Sequence, residues 1–552
     1  MMNGLFDDDL PVKLYSSAAF WLKAIKEAEN FYGKIPHTLE DAVELGYRNL
    51  SEANAFVQPF SKKLEQALIT WHKDRGLLTE KVRQNISRMK EGIVIAGQQT
   101  TIFGGVGLIA NKICCTKALS TISEEKAEKD DSKNPLVPAF IVNDYDTVQP
   151  ELTVAHFPNP SSEKGTPISL DLSHINDRAI NIAERPTEDW FKDSLSTIDD
   201  LYTEFIHSVP KDRRAVFQNR LEELKSYLKI TFFSATSLTD WVGRIWGLLM
   251  NVLLDLGIVF IPPSLPEIRS VKVKAFEYLL KHLDEFIAAE NRAAETLEGL
   301  GLTPTLYRRS GDYVPFFLEC PNDKYRLELT RNNQSNNQSV LEGKCPVCKT
   351  DYEIAVNHSN PDLTDWAQFL SPRVDSSQIS YQAIAPIPIR VSGPGEISYY
   401  AMVAPAFEAI GIPRPTFVKY TRMFYNTPWN EALGKTIDEK GVKTIHCSDF
   451  FKLLGQWVKA KKRGNTEEFL KANRDLTTYL ESFRNEDTVN PKVQRYLSWQ
   501  FGKYTEEKFA QEVSWSWIDL AIAGGLREFA QTILRFYSEN PPVGGAFFLN
   551  LY

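Results

Sequence analysis

The chain has 552 residues, 43% of them hydrophobic and 24% charged, with a formal net charge of −8. This balance is typical of a globular protein of two to four domains, and its acidic sign argues against broad nucleic-acid binding. The most apolar long window, residues 245–261, contains Asn251 and Asp255, which argues against a membrane span. The first residues lack the basic start and apolar core of a signal peptide, and six cysteines in so long a chain suit a reducing compartment. We therefore expect a cytoplasmic protein.

Strand-like and helical segments alternate from residue 93 onwards. An apolar strand at 93–96 runs into the glycine-rich segment 97–105, and a helix follows from about 106 to 122. A second strand, 136–142, ends in the polar run 143–146. Alternation of this kind predicts an α/β fold with a parallel sheet covered by helices on both faces.

The pattern continues in the second half of the chain. A helix predicted over 241–256 leads into a strand at 258–261, and a long amphipathic helical stretch follows over 266–300. Strands return at 383–391 and 416–418. These segments complete the predicted sheet.

Two glycine-rich segments each follow a predicted strand. The first is Gly97-Gln98-Gln99 with Gly104-Gly105 behind it, and the second is Ser392-Gly393-Pro394-Gly395-Glu396. Each is predicted to break its strand and open a helix, whose bare N–H groups can closely approach an anionic or polar ligand. Open α/β sheets bind ligands at the carboxyl ends of their strands, so we expect the two turns to form two edges of one cleft.

The candidate residues of this cleft lie in the two turns, near them, or at the end of the second strand. The candidates for substrate binding are Gly97, Gln98, Gln99, Gly104, Gly105, Lys112, Tyr145, Ser392, Gly393, Gly395 and Tyr399. The candidates for catalysis are Glu396, Asp144 and Asp146. Glutamine amides offer donors and acceptors to a sugar or a carboxylate, and a glutamate can accept from an amine or a hydroxyl.

Each of these patterns also has a purely structural interpretation. The first turn is compatible with a tight strand–helix connection, and the second with a helix start that has Pro394 in its first turn and Glu396 near the positive end of the dipole. Asp144 and Asp146 suit a solvated turn, and Lys112 has the position of a surface lysine on a helix.

Residues 313–348 change character to short β-like runs and turn residues, which predicts a small inserted module. Cys345-Pro346-Val347-Cys348 is a zinc-knuckle pattern, and Cys320-Pro321-Asn322-Asp323 resembles its other half. Cys320, Cys345 and Cys348 would ligate one tetrahedral Zn²⁺, with Asp323 or His358 as the fourth ligand. A closed site of this kind would be structural. The alternative is a zinc-ribbon-like module that no longer binds a metal ion.

The last hundred residues are helical and charged over about 449–537, which predicts a helical C-terminal domain. The apolar segment 544–549 is predicted to pack back on the body of the protein. The predicted division of the chain is a helical segment packing on the core over 1–90, the first part of the core over 91–265, the insertion over 266–370, the second part of the core over 371–445 and the helical domain over 446–552.

The order of four segments resembles the bacillithiol-biosynthesis cysteine-adding enzyme family, cysteine ligases related in fold to class I aminoacyl-tRNA synthetases. The four segments are Gly97-Gln98-Gln99 through Gly105 with Lys112 downstream, Leu256 through Phe260 with Pro266 through Arg269, Phe369 through Val374, and Ser392 through Tyr400 with Phe407 through Pro413. The resemblance covers roughly residues 30 to 430. It implies a Rossmann-like core, ligation of the carboxyl group of cysteine to the amine of glucosaminyl-malate, and a helical, coiled-coil arm used in homodimers.

The chain departs from the family at one position. Where the family typically has an acidic-His-Asp cluster, the sequence reads Asp144-Tyr145-Asp146. A tyrosine donates a hydrogen bond but cannot become a cation. Two alternatives therefore stay open: a ligase of the same fold acting on another amine, and an inactive binding protein that engages RNA or protein through the ribbon and the arm.

A free carboxylate normally has to be activated before it forms an amide. If the chain is a ligase, we therefore expect it to use ATP and Mg²⁺. The sequence contains no P-loop of the form G-x4-G-K-[ST].

Overall fold

The computed structural model describes residues 25–51, 60–159, 165–335, 337–429, 453, 456, 460, 466–484, 511–539, 543–544 and 546–551. Within these ranges the helices are α1 (Ile25–Tyr32), α2 (Leu39–Ser51), α3 (Lys62–Asp74), α4 (Glu80–Arg88), α5 (Leu108–Ala127), α6 (Pro150–Thr153), α7 (Glu188–Ser208), α8 (Arg214–Phe233), α9 (Leu238–Gly247), α10 (Pro266–Lys281), α11 (Leu283–Gly299), α12 (Val374–Gln382), α13 (Pro394–Ala409), α14 (Thr466–Arg484), α15 (Gln511–Ser514), α16 (Trp517–Gly524) and α17 (Glu528–Ser538).

The strands are β1 (Ile93–Gln99), β2 (Val137–Asn143), β3 (Val154–Phe157), β4 (Thr166–Ser169), β5 (Val259–Ile261), β6 (Tyr313–Glu319), β7 (Arg326–Ser335), β8 (Gln338–Lys344), β9 (Asp351–Asn357), β10 (Leu370–Pro372), β11 (Ile389–Ser392), β12 (Thr416–Lys419), β13 (Arg422–Asn426) and β14 (Ala546–Asn550). No helix in the described ranges has the length and apolar character needed to cross a membrane.

The core is a five-stranded parallel sheet in the order β12-β11-β1-β2-β5. Numbered by appearance in the chain, and read from the β5 edge, the order is 3-2-1-4-5, which is the doubly wound arrangement. The strands are buried on both faces, as apolar runs of this kind require. Val94 and Ala96 pack in one layer with Ile109 and Ile113 of α5, whereas Ile95 packs in the opposite layer.

The strand order reverses between β1 and β11, where Val94 pairs with Ile389 and Ile95 with Arg390. Ligands of open α/β sheets bind in the crevice beyond the carboxyl ends of the strands at such a switch point. The first glycine-rich segment begins within β1, and the second begins at the last residue of β11, so both lie at the carboxyl ends of these strands. We call this crevice the cleft.

The structure corrects the predicted extent of several elements. β1 continues to Gln99 instead of ending before Gly97, because Gly97 lies against β2: a Cβ there would be 3.0 Å from the Cβ of Ile141. The strand predicted over 383–391 is confined to Ile389–Ser392 because Pro386 and Pro388 lack the N–H that a central strand needs.

The helical stretches also differ in detail from the prediction. The helix predicted over 241–256 begins at Leu238 and passes at Gly247 into the π-helical segment Leu248–Leu253. The stretch 266–300 is two helices that meet at His282.

The β-like runs predicted after residue 313 form a second sheet, which is antiparallel and has the order β10-β6-β7-β8-β9. It follows α11 in the chain and leads into α12. The segment predicted to pack back near the C-terminus also does so: β14 pairs in parallel with β13, and Leu549 and Leu551 are buried. Most of 446–465 and all of 485–510 of the predicted helical domain lie outside the described residues.

Candidate functional site

A buried ion pair connects the two glycine-rich segments across the cleft. The Nζ atom of Lys112 lies 3.1 Å from the carbonyl oxygen of Gly97, 3.0 Å from Oε1 of Gln98 and 2.6 Å from Oε2 of Glu396. The Lys112 side chain is only 4% exposed. The surface position that its place on a helix suggests is therefore wrong, because this face of α5 packs against the sheet.

Glu396 is held by three donors. Oε1 accepts from Nη2 of Arg390 at 2.9 Å, and Oε2 accepts from the backbone N–H of Gly393 at 2.8 Å as well as from Lys112. Burial by itself would raise the pKa of Glu396, but the nearby charges of Lys112 and Arg390 and the Gly393 N–H outweigh it and lower the pKa. The carboxylate is therefore ionised at neutral pH.

The mouth of the cleft also carries the two glutamines and the second turn. Nε2 of Gln98 donates to Oε1 of Gln99 at 3.0 Å. Gly395 is exposed, and a Cβ built there would meet no atom within 4 Å, so the backbone at this point borders open space. Tyr399 is partly buried and its ring lies 4.6 Å from that of Tyr400.

Gly104 and Gly105 make packing contacts with the core. Both have positive φ angles, 76° and 84°, which favour glycine. Nε1 of Trp246 donates to the carbonyl oxygen of Gly104 at 2.9 Å, and a Cβ at Gly104 would lie 3.3 Å from Nε1 of Trp517. The structural interpretation of a tight turn accounts for both glycines.

The turn after β2 is buried and well bonded. Asp144 is 1% exposed and accepts from the backbone N–H of Ser264 at 3.2 Å and from its hydroxyl, so the solvated-turn interpretation is wrong for this residue. Burial raises the pKa of Asp144 to about 6. Asp146 accepts from Nδ2 of Asn143 at 3.0 Å and lies 3.6 Å from Nη1 of Arg326, and burial raises its pKa as well.

Tyr145, at the position of the family histidine, is 5% exposed and accepts a hydrogen bond from the hydroxyl of Tyr381 at 3.0 Å. Burial raises the pKa of Tyr145, so its hydroxyl is neutral. The Nζ atom of Lys272 lies 4.7 Å from the centre of the Tyr145 ring and 4.9 Å from that of Tyr381. Sequence reasoning missed this lysine.

Lys272 is 3% exposed, and its Nζ forms no salt bridge with a described residue, although the charges of Asp144 and Glu319 act on it from nearby. Burial, followed by the repulsion of Arg269, lowers the pKa of Lys272 to about 7. A signal for it exists in the sequence: Lys272 lies on the buried stripe of α10 with Ile268, Ala275 and Leu279. A basic residue in an apolar stripe indicates a functional or paired cation.

Arg390 is the second cation that sequence reasoning missed. It is 6% exposed, and in the described part of the chain its Nε and Nη1 have no hydrogen-bond partner. The same is true of the buried Oγ atoms of Thr100 and Ser392 and of Oδ1 of Asn143. Buried polar atoms are normally paired, so a group of unpaired ones at the ends of β1, β2 and β11 indicates the place of a ligand.

A separate cluster of potential metal ligands lies in the antiparallel sheet. The ligand atoms of Cys320, Asp323, Cys345 and Cys348 all lie within 4.8 Å of one another, and the three cysteines are free. The Sγ atoms of Cys320 and Cys348 are 3.5 Å apart, and Sγ of Cys345 is 3.1 Å from Oδ2 of Asp323. Of the two fourth-ligand candidates, Asp323 belongs to the cluster, whereas His358 bonds to Ser339 instead.

The two halves of the cluster share one backbone geometry. The N–H of Lys324 donates to the carbonyl oxygen of Cys320 at 2.9 Å, and that of Lys349 donates to Cys345 at 3.0 Å. Both lysines have positive φ angles, 65° and 62°. Asp323 therefore occupies in its loop the place that Cys348 occupies in the other, which suits two matched loops around one ion.

A match to a family model shows to which protein family this chain belongs. The model for the bacillithiol biosynthesis BshC N-terminal Rossmann-like domain matches residues 15–420. The chain belongs to the BshC family. The doubly wound sheet and the cleft lie within the matched region.

Three relatives bearing the name "Putative cysteine ligase BshC" show how far the similarity extends. That of Lysinibacillus sphaericus (strain C3-41) is 24% identical over 465 residues, 79% of this chain and 76% of the relative. Those of Bacillus cereus strains AH187 and ATCC 10987 / NRS 248 are 21% identical over 403 residues and 22% over 347. These two alignments cover 70% and 60% of this chain but 65% and 55% of the relatives, less than two thirds of their length.

Proposed function

We propose that this BshC-family chain is an amide-forming ligase that adds cysteine to the amine of an amino-sugar conjugate, glucosaminyl-malate, in bacillithiol-type thiol biosynthesis. Family membership and the name of the relatives support the reaction class. The observation that carries the proposal is the Lys112–Glu396–Arg390 chain of ion pairs at the switch point, which joins the two glycine-rich segments at the expected ligand crevice.

We assign anion recognition to the donors of Arg390 that its pairing with Glu396 leaves over. The buried Nε and Nη1 atoms of Arg390 have no partner among the described residues, and guanidinium donors match carboxylates in geometry and charge. A malyl group carries two carboxylates. We assign Arg390 to one of them, with the amides of Gln98 and Gln99 assigned to the sugar or to its acid.

Lys272 is suited to the proton transfer. The amine must lose a proton as the amide bond forms, and a base acts best when its pKa lies near the working pH. The pKa of Lys272, about 7, meets that condition, and its Nζ lies over the rings of Tyr145 and Tyr381 at the turn after β2.

Glu396 has capacity for one more donor. A carboxylate offers about four lone-pair sites, and Lys112, Arg390 and Gly393 take three of them. The side chain is 17% exposed at the mouth of the cleft. We assign the remaining site to the substrate ammonium group, and we assign Asp144 and Asp146 to shaping the adjacent wall. ATP and Mg²⁺ as activators remain part of the proposal.

An end-point mass-spectrometric assay tests the function. The purified protein is incubated with glucosaminyl-malate and cysteine, with and without ATP and Mg²⁺, beside Gln98→Ala and Lys272→Met. Lys274→Met is the matched control, because Lys274 lies on the same helix but is 45% exposed and pairs with Glu277. Product from wild type and K274M, but little from the other two, supports the proposal. No product from folded wild type with any amine in a substrate panel would contradict it.

We further propose that the cysteine cluster binds a structural Zn²⁺. Three thiolates and one carboxylate in matched loops fit its tetrahedral preference, and a site closed by four protein ligands leaves no position for substrate. Metal analysis of protein purified without chelator checks this, with about one zinc per chain expected. We also propose a cytoplasmic homodimer formed through the helical C-terminal region, which light scattering of the full chain tests.

A further inference from the structure

The first of the two ligand loops, residues 320–324, directly precedes a residue that reaches the cleft. Two residues after Lys324 closes this loop, Arg326 begins β7, and its side chain is 7% exposed. The guanidinium lies 4.1 Å from the ring centre of Phe317 and 5.5 Å from that of Tyr145, and its Nη1 lies 3.6 Å from Asp146. The antiparallel sheet thereby contributes a cation to the turn that follows β2.

Arg326 is fixed by its own sheet. Its Nε donates to Oγ of Ser371 at 3.1 Å and its Nη2 to the carbonyl oxygen of Pro372 at 2.7 Å, both in β10. Its backbone pairs with Glu319 of β6 and directly follows the loop 320–324, so the side chain is held by the sheet and adjoins that loop.

A second connection runs through the core segment 177–181. The N–H of Arg326 donates to the carbonyl oxygen of Asp177 at 2.9 Å, and Nε of Arg178 donates to the carbonyl oxygen of Asp323 at 2.7 Å. Asp177 has a φ of 60°, a left-handed conformation that aspartate tolerates better than most non-glycine residues.

The same segment binds the turn after β2. The N–H of Ile180 donates to the carbonyl oxygen of Asp146 at 2.8 Å, and that of Asn181 donates to Asp144 at 2.9 Å. The backbone of residues 178–181 therefore connects a hydrogen bond to the carbonyl oxygen of Asp323, a ligand candidate, with hydrogen bonds to the carbonyl oxygens of Asp144 and Asp146.

We infer that the metal site is a positioning device for the cleft: an ion bound by Cys320, Asp323, Cys345 and Cys348 holds Arg326 and the segment 177–181 in place, and through them the Asp144–Asp146 turn. An ion would cross-link two loops whose cysteines are 28 residues apart. Without it, three thiols and one carboxylate have only weak mutual hydrogen bonds, and metal-dependent loops lose order when their ion is removed. The effect on catalysis rests on the proposed function, but the structural coupling does not.

Hydrogen exchange of the full-length protein tests the coupling without any substrate. Exchange is followed by mass spectrometry with Zn²⁺ bound and after removal of Zn²⁺ by a chelator. Peptides that contain the amides of Ile180, Asn181 and Arg326 are expected to exchange about tenfold faster or more without the ion. Peptides from the centre of β1 and β2 serve as the internal reference and should be unchanged.

Two variants separate the coupling from general unfolding. Cys345→Ser removes a ligand and should reproduce the faster exchange even in excess Zn²⁺. Val347→Ala is the matched control, since Val347 lies in the same loop, is 49% exposed and is not a ligand; its exchange and activity should equal those of wild type. In the ligase assay, C345S and Arg326→Gln should both raise KM more than they lower kcat. The increase in KM of the double variant should be smaller than the product of the two separate increases, because both changes act in part through Arg326.

The outcomes are distinct. If removal of Zn²⁺ speeds exchange only in residues 320–350 and leaves 177–181 protected, the ion stabilises only the loops that bind it. The inference is then overturned. If the protein binds no Zn²⁺, it is overturned at its first step. If exchange couples as expected while no amine substrate yields product, the positioning device stands and the proposed ligase function fails.

Discussion

Lys112 and Glu396 are 284 residues apart in the chain, yet Nζ and Oε2 lie 2.6 Å from each other at the point where the order of the parallel sheet reverses. The pair approaches from opposite sides, because Lys112 belongs to the helix after β1 and Glu396 to the first turn of the helix after β11. It thus fixes the separation of the two strand–helix connections that frame the cleft.

The first prediction concerns the stability of this pair. Glu396→Gln keeps the shape but leaves Lys112 and Arg390 as buried cations without a counter-charge, and loss of one member of a buried pair costs about 3–5 kcal/mol. Denaturant unfolding should show that loss. The control is Lys117→Met on the same helix, whose partner Glu124 is 41% exposed; a surface pair is worth about 1 kcal/mol or less. Equal unfolding midpoints for E396Q and K117M would contradict the prediction.

The second prediction is a pH dependence that arises from Lys272. Its pKa is about 7 in the folded protein and 10.5 in the reference state, so between these values the unfolded chain binds more protons than the native one. The free energy of unfolding therefore rises with pH across that window, and the cost of burying the charge is fully present below about pH 7. Lys272→Met should remove this contribution. The denaturant concentration at the unfolding midpoint should then differ less between pH 6.5 and pH 9.5 than it does in the wild-type protein.

The control for that series is K274M, which should keep the wild-type dependence because Lys274 is exposed and paired. An unchanged pH dependence in K272M would show that Lys272 does not titrate in the window.

The third prediction addresses the unusual metal ligand. Because Asp323 stands where Cys348 stands in the matched loop, Asp323→Cys completes a four-thiolate set and should bind Zn²⁺ at least as tightly as wild type. Asp323→Ala leaves three ligands and should bind at least tenfold more weakly, measured by competition with a chromophoric chelator. Wild-type affinity in D323A would remove Asp323 from the site.

The fourth prediction concerns the tyrosine at the family's histidine position. Tyr145→His replaces the ring that faces Lys272 and Arg326 with one whose protonated form both cations repel. We expect lower kcat in the ligase assay and no new acid–base limb in the pH profile. Tyr145→Phe is the control: it keeps the ring and loses the hydroxyl that accepts from Tyr381, so it should retain most activity. Wild-type or higher activity in Y145H would contradict this reading.

Elements with local causes could be predicted from the order of the residues. Apolar runs of strand length predicted β1, β2, β5 and β12, and two Cys-Pro loops predicted the ligand cluster, because burial pattern and turn chemistry are set by neighbouring residues. The order of the glycine-rich segments was enough to indicate the family, and the family match bears that out.

Which side chains meet could not be predicted in this way. The burial of Lys112 and the partnerless donors of Arg390 depend on the pairing of β11 with β1, and the reach of Arg326 into the cleft depends on the packing of the antiparallel sheet. Periodicity along the chain reports the face on which a residue lies, but not the partner that covers that face. Contacts between residues hundreds of positions apart follow from packing, which no local pattern encodes.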